Sequence, residues 1–228
     1  MHHDPFWMHA LLAVHIACGA SAFLLAPVAL ASAKGGKTHK RWGMVYLWAM
    51  GGVAATALPM ALYRPVLFLA LVAIFSYYLA FSGYRVLRLK DLPRGGQAQI
   101  IDWCAAIFTL IASAFMAWCG AFRVPWVQGM GIPSIVFGLI GMRAAGLELY
   151  KFVNKPKEKM FWWYTHLGNF IGSYIAAWTA FLVVTVSPHL GANGRILWLL
   201  PTAIGVPAIV LTAGYYRRKF TPKVPATA

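Results

Sequence analysis

Charge is what this sequence has least of. Only 11% of its 228 residues are Asp, Glu, Lys or Arg, where soluble domains carry about 25%. That shortage excludes an ordinary soluble globular domain. Acids are the scarcer half, with five Asp and Glu against 20 Lys and Arg. The net charge of +15 does not mark a nucleic-acid binder, because the basic residues fall in short clusters and build no compact basic surface. Cysteine is sparse too. Cys18, Cys104 and Cys119 lie within apolar runs and show no C-x-x-C spacing, which argues against a disulfide framework or a zinc ribbon and reads all three as small buried side chains. Enzyme signatures are missing as well: there is no H-E-x-x-H, G-x-S-x-G, Walker loop or dinucleotide fingerprint, so no reaction can be read off. No stretch looks like a soluble domain, a low-complexity tract or a long linker.

What is present is hydrophobic length. The chain is 61% hydrophobic with a mean hydropathy of +0.66. It opens with Trp7–Ala33, which contains no Lys, Arg, Asp or Glu and at about 1.5 Å per residue can cross a ~30 Å hydrocarbon layer. Ala31-Ser32-Ala33 resembles a signal-peptide cleavage box. However, no Lys or Arg precedes the run and it is far longer than a 7–15-residue signal core, so the reading is a retained first span. Six further runs follow, at about 44–62, 66–84, 100–122, 132–150, 161–187 and 197–216. The predicted fold class is all-α: a polytopic transmembrane bundle of seven spans in one integral membrane domain. Pro27, Pro59 and Pro207 fall within spans, where they free a backbone carbonyl and allow a kink. Trp7, Trp42, Trp126, Trp162, Trp163 and Trp198 sit near run ends and fit aromatic belts.

The loops assign direction. Lys34, Lys37, Lys40 and Arg41, then Arg85, Arg88, Lys90 and Arg94, then Lys151, Lys155, Lys157 and Lys159, and last Arg217, Arg218, Lys219 and Lys223 fall on one side. Only Arg64, Arg123 and Arg195 fall on the other, with Arg143 left inside span five. The positive-inside rule therefore predicts an outer N-terminus and an inner C-terminus. The basic side is expected to meet anionic lipid head groups. A Gly pair recurs in two of these loops, Lys34-Gly35-Gly36 and Arg94-Gly95-Gly96, too little for an internal repeat.

Ionisable groups at membrane depth are costly, so each is a functional candidate. His15 lies in the outer half of span one, His39 just before span two on the inner side, and His166 about five residues inside span six. Asp102 and Glu148 lie near the inner ends of spans four and five, with Arg143 about two turns above the latter, within snorkelling reach of either acid. Three stripes emerge at helical spacing: His15, Gly19, Ala22 and Ala26; Asp102, Ala106, Thr109 and Ser113; and His166, Asn169 and Ser173. Such stripes face other helices, and the plainest reading is close packing with hydrogen bonds across it. An imidazole can also carry a proton, a metal or a haem. His15 and His166 differ in depth by about 10 Å, which disfavours them as two ligands of one haem. His39 and His166 match better, and Asp102 or Glu148 can complete a divalent-metal site of N and O ligands, unless Arg143 neutralises those acids. Outside, His2, His3, Asp4, His9 and His189 form a weaker metal candidate that reads more simply as solvated histidines.

Several of these segments resemble a known family. His15-Ile16-Ala17-Cys18-Gly19, Lys34-Gly35-Gly36, His39-Lys40-Arg41-Trp42-Gly43, Tyr46 with Met50, and His166 with Thr179-Ala180-Phe181 resemble a bacterial multi-span family catalogued as domain of unknown function 2306. The likeness runs from His15 to about Val184. It implies a multi-pass protein of the bacterial cytoplasmic membrane with His15, His39 and His166 as recurrent histidines, and it brings no substrate or cofactor. Three functions then compete. One is a membrane protein binding haem b or a divalent metal through His15, His39 and His166, with Gly19 leaving room for a planar group. Another is a proton-coupled or small-solute carrier using Asp102, Glu148, Arg143 and Asn169. The third is a structural or assembly subunit that meets a membrane-protein partner or a second copy of itself.

Overall fold

A long run of apolar residues that must satisfy its own backbone polar groups in lipid has one local solution, the α-helix. The computed structural model, which describes residues 4–64, 66–127 and 129–220, has seven. They are α1 (Phe6–Ala31), α2 (Lys37–Tyr63), α3 (Leu67–Arg85), α4 (Ile100–Ala121), α5 (Gly131–Val153), α6 (Phe161–Thr185) and α7 (Leu200–Phe220). No strand occurs among the described residues. Each helix is long and apolar enough to cross a membrane. The three internal prolines lie in α1, α2 and α7 without ending them.

Helix ends depart from the apolar runs where charge begins. α2 starts at Lys37, seven residues before the apolar run, so His39 sits in its first turn and not ahead of it. Lys and Arg are good helix formers, and nothing in Lys37–Gly43 breaks a helix. α5 likewise continues through Lys151 to Val153. α4 is started by a reciprocal capping box: Gln99 caps the backbone at Asp102, while the Gln99 N–H donates to Asp102 Oδ2 at 2.9 Å. That box satisfies backbone donors that a helix start leaves open.

Three antiparallel hairpins, α1–α2, α4–α5 and α6–α7, are held together by α3, which touches α2, α4, α5 and α6. α3 is accordingly the helix with the most buried residues, and α7, which packs on α6, has none among its described residues. One apolar cluster joins α1, α2 and α3 around Ala22, Tyr46, Met50 and Ala80. Another fills the end of α3, α4 and α5 nearer the sparse loops, around Phe68, Met116 and Phe137. A third, Val86, Leu89, Leu92 and Phe161, closes the end where the basic loops lie. That basic end is where the ionisable residues gather.

Candidate functional site

α6 is joined to α3 by three polar links in successive turns. His166 Nδ1 lies 2.8 Å from the Gly83 carbonyl oxygen, Asn169 Nδ2 donates to Ser82 Oγ at 2.9 Å, and Ser173 Oγ donates to the Ser76 carbonyl at 3.1 Å. Tyr46 of α2 adds a hydrogen bond to Ser173 Oγ at 2.9 Å. The stripe of His166, Asn169 and Ser173 is thus an interhelical seam, as its spacing predicts. The two companion stripes also face inward: Asp102, Ala106, Thr109 and Ser113 are all buried, as are Ala22 and Ala26.

At the basic end of this seam stands His39. Its Nδ1 is 2.9 Å from the Ala29 carbonyl in the last turn of α1. The rings of His39 and His166 are 6.1 Å apart, centroid to centroid, and inclined at 69°. A carbonyl oxygen only accepts, so in each ring Nδ1 carries the proton and Nε2 keeps its lone pair when the imidazole is neutral. Both acceptors, Ala29 O and Gly83 O, belong to final helical turns, where the end of the ladder leaves carbonyls open to side-chain donors, and Ala29 O also accepts from Ser32 Oγ at 2.9 Å. The fold thus uses two helix C-termini to fix two imidazoles in the same tautomer, side by side. Phe170 packs on His166 at 4.8 Å, and the charges of Lys34 and Lys90 act on the same ring.

Gly83 makes this arrangement possible. A Cβ there would lie 2.7 Å from the Phe170 ring and 3.2 Å from Asn169 Cβ, so a side chain would push α3 and α6 apart where His166 binds. The sequence gives no direct sign of this role.

The other candidates go elsewhere. His15 Nδ1 contacts Thr56 Oγ1 at 3.0 Å between α1 and α2, and Gly19 packs toward Val53 in the same seam. His15 is 14 residues from Ala29, or about 21 Å along α1, so His15 and Gly19 lie outside the His39–His166 pair. Asp102 and Glu148 are committed to cations. Arg85 Nε and a terminal nitrogen hold the two Asp102 oxygens at 2.6 and 2.8 Å, and the same guanidinium reaches Gln99 Oε1 at 2.7 Å. Lys151 binds Glu148 Oε1 at 2.6 Å and Thr165 Oγ1 at 2.9 Å. The quartet of His39, His166, Asp102 and Glu148 does not converge: no group of three or more potential metal ligands occurs among the described residues.

The chain matches no family model, no curated protein and no solved structure.

Arg143 requires a correction. It was expected to reach Asp102 or Glu148, but it is exposed on α5 and makes no ion pair among the described residues. The helix carries Cβ atoms toward its N-terminus, which for α5 is the end away from those acids, and Arg85 and Lys151 occupy them from nearer positions. Arg85 was legible only as a loop charge; the Gln99-x-x-Asp102 capping pattern is the signal that marks its partner. Cys104 also differs from expectation, being exposed, while Cys119 is buried and Cys18 intermediate. Of the outer histidine group, His2 and His3 lie outside the described residues, Asp4 is bonded to Arg64, and His9 Nδ1 turns back to the Pro5 carbonyl at 3.3 Å. The Asp4 carboxylate raises the Arg64 pKa through that hydrogen bond.

Proposed function

We propose that this is a multi-pass protein of the bacterial cytoplasmic membrane that binds a metal-centred cofactor, haem b in the first place, between His39 and His166 on the cytoplasmic side. The observation that carries the reading is the pair itself: two rings 6.1 Å apart, each held at Nδ1 by a backbone carbonyl. Locking one ring nitrogen to a carbonyl is how a protein fixes the tautomer and raises the basicity of an imidazole ligand. The spacing also suits a shared metal. With metal–nitrogen bonds of about 2.0–2.1 Å and roughly another ångström from nitrogen to ring centre on each side, two imidazoles on one ion stand about 5–6.5 Å apart.

The surroundings favour haem over a bare dication. A divalent site of mixed ligands needs oxygen donors, and the nearby acids are held by Arg85 and Lys151. What acts on His166 instead is positive charge, from Lys34 and Lys90. Positive charge repels a free cation but complements the carboxylates that a haem carries at its edge. His39 and His166 would then hold the iron through their Nε2 atoms, and the group would supply one-electron redox chemistry.

The test is composition. Protein purified in mild detergent from haem-replete cells is expected to show a Soret band and about one iron per chain, both lost in His39→Ala and His166→Ala and retained in His15→Ala. Wild-type protein with neither chromophore nor stoichiometric metal would refute the reading.

A further inference from the structure

The face of the α1–α2 hairpin that turns away from the bundle carries a groove of about 670 Å³, within the 300–1,000 Å³ typical of small-molecule sites. Its α1 wall is made of small side chains, Ala17, Cys18 and Ser21, opposite Val45 and Trp48 of α2. Trp48 is 71% exposed, so its ring stands as a flank and fills no core. Away from the basic end, Gly52 approaches Cys18 so closely that a Cβ would lie 2.6 Å from Sγ, and the two helices meet there. Toward the basic end the lining finishes at Arg41. Arg41 and Trp48 are seven residues apart, about 10 Å along α2. The groove is therefore apolar along its length and cationic at one mouth.

Arg41 is exposed and makes no ion pair among the described residues; its guanidinium lies 5.7 Å from the ring centre of Trp42. The chain has only five acids, Asp4, Asp91, Asp102, Glu148 and Glu158. Asp4 pairs with Arg64 at the opposite end, Asp102 and Glu148 are buried in ion pairs, Asp91 pairs with Arg94 in the loop between α3 and α4, and Glu158 pairs with Arg217. A second copy of this chain thus has no unpaired carboxylate among the described residues to bring to Arg41. A neutral apolar molecule would fill the walls and leave the arginine unanswered. An occupant with an apolar chain and an anionic end satisfies both features.

We infer that the groove between α1 and α2 holds an acyl chain of an anionic phospholipid whose phosphate rests on Arg41. The inference does not depend on the cofactor reading, because the groove and the histidine pair share no residue.

Native mass spectrometry of the detergent-purified full chain, titrated with phosphatidylglycerol and with phosphatidylcholine of the same acyl chains, tests it. Wild type is expected to retain one phosphatidylglycerol about five-fold better than phosphatidylcholine, the scale of one basic residue at a membrane surface. Arg41→Gln removes the preference. Ser21→Phe, which fills the groove, lowers retention of both lipids. Lys37→Gln, a nearby exposed cation that does not line the groove, leaves the preference unchanged. Equal retention of the two lipids by wild type, or equal losses in the Arg41→Gln and Lys37→Gln variants, would overturn the inference in favour of diffuse charge attraction. Because Arg41 is exposed and Arg41→Gln removes no packed group, its effect separates from misfolding.

Discussion

At the scale of single residues, the ions placed within the helices have opposite fates and make opposite predictions. Arg85 and Asp102 form a two-pronged ion pair whose side chains are 10% and 2% exposed. Asp102→Asn leaves a guanidinium with a weakened partner at depth, and is expected to cost about 3–5 kcal/mol. Replacing both, Arg85→Met with Asp102→Leu, is expected to cost less than either single change, and reversible unfolding in bicelles measures all three. Arg143 predicts the reverse. It faces outward from α5 without an acid, so Arg143→Leu is expected to stabilise the protein by about 2–3 kcal/mol, the scale of an arginine's cost near a bilayer centre. A loss of stability on that change would show that Arg143 has a partner. Sequence reasoning singled out His39, His166, Asp102 and Glu148 because ionisable groups in apolar runs stand out by themselves. It missed who pairs with whom. Arg85 reads as one of many loop cations until α3 and α4 pack side by side, and the carbonyls of Ala29 and Gly83 leave no mark on side-chain identity.

At the scale of helices and their connections, existence was legible and edges were not. Seven apolar runs became seven helices, but α2 begins at Lys37 because a basic turn is helix-compatible and needs no lipid around it. That shift matters, since it puts His39 on a rigid element opposite His166. The recurring Gly pair also acquires a physical meaning. Gly35 and Gly95 both have left-handed backbone, with φ of +77° and +102°, and each helps turn the chain in a basic loop before α2 or α4. Neither sequence separation nor composition makes this a repeat; the two loops reuse one steric solution. Gly35→Ala and Gly95→Ala are each expected to cost about 1 kcal/mol, seen as a lowered unfolding midpoint with the fold retained. Gly83→Ala acts differently. With 2.7 Å to Phe170 it must separate α3 from α6, and it is expected to weaken cofactor retention more than it lowers the midpoint. Equal retention by Gly83→Ala and wild type would show that the α3–α6 contact does not position His166.

At the scale of the whole molecule, the arrangement is a hub and three hairpins, with polar and basic groups concentrated at one end. Charge counting reached that asymmetry without coordinates, because loop cations alternate strictly along the chain. The positive-inside rule predicts that the basic end faces the cytoplasm, and a reporter fused after Ala228 is expected to be active only as a cytoplasmic fusion. The bundle's interior order was beyond the sequence: the α3–α6 contact depends on polar groups meeting across 83 to 97 residues of chain. The same contact brings the α6 seam to the end of α3 and closes it with His39. The central claim is that these two imidazoles face one metal, and low-temperature electron paramagnetic resonance of the oxidised purified protein tests it most directly. Wild type is expected to give a low-spin ferric signal of two axial nitrogens, turned high-spin or abolished in His39→Ala and in His166→Ala. A preparation without that signal, or one whose signal survives both substitutions, would contradict the account.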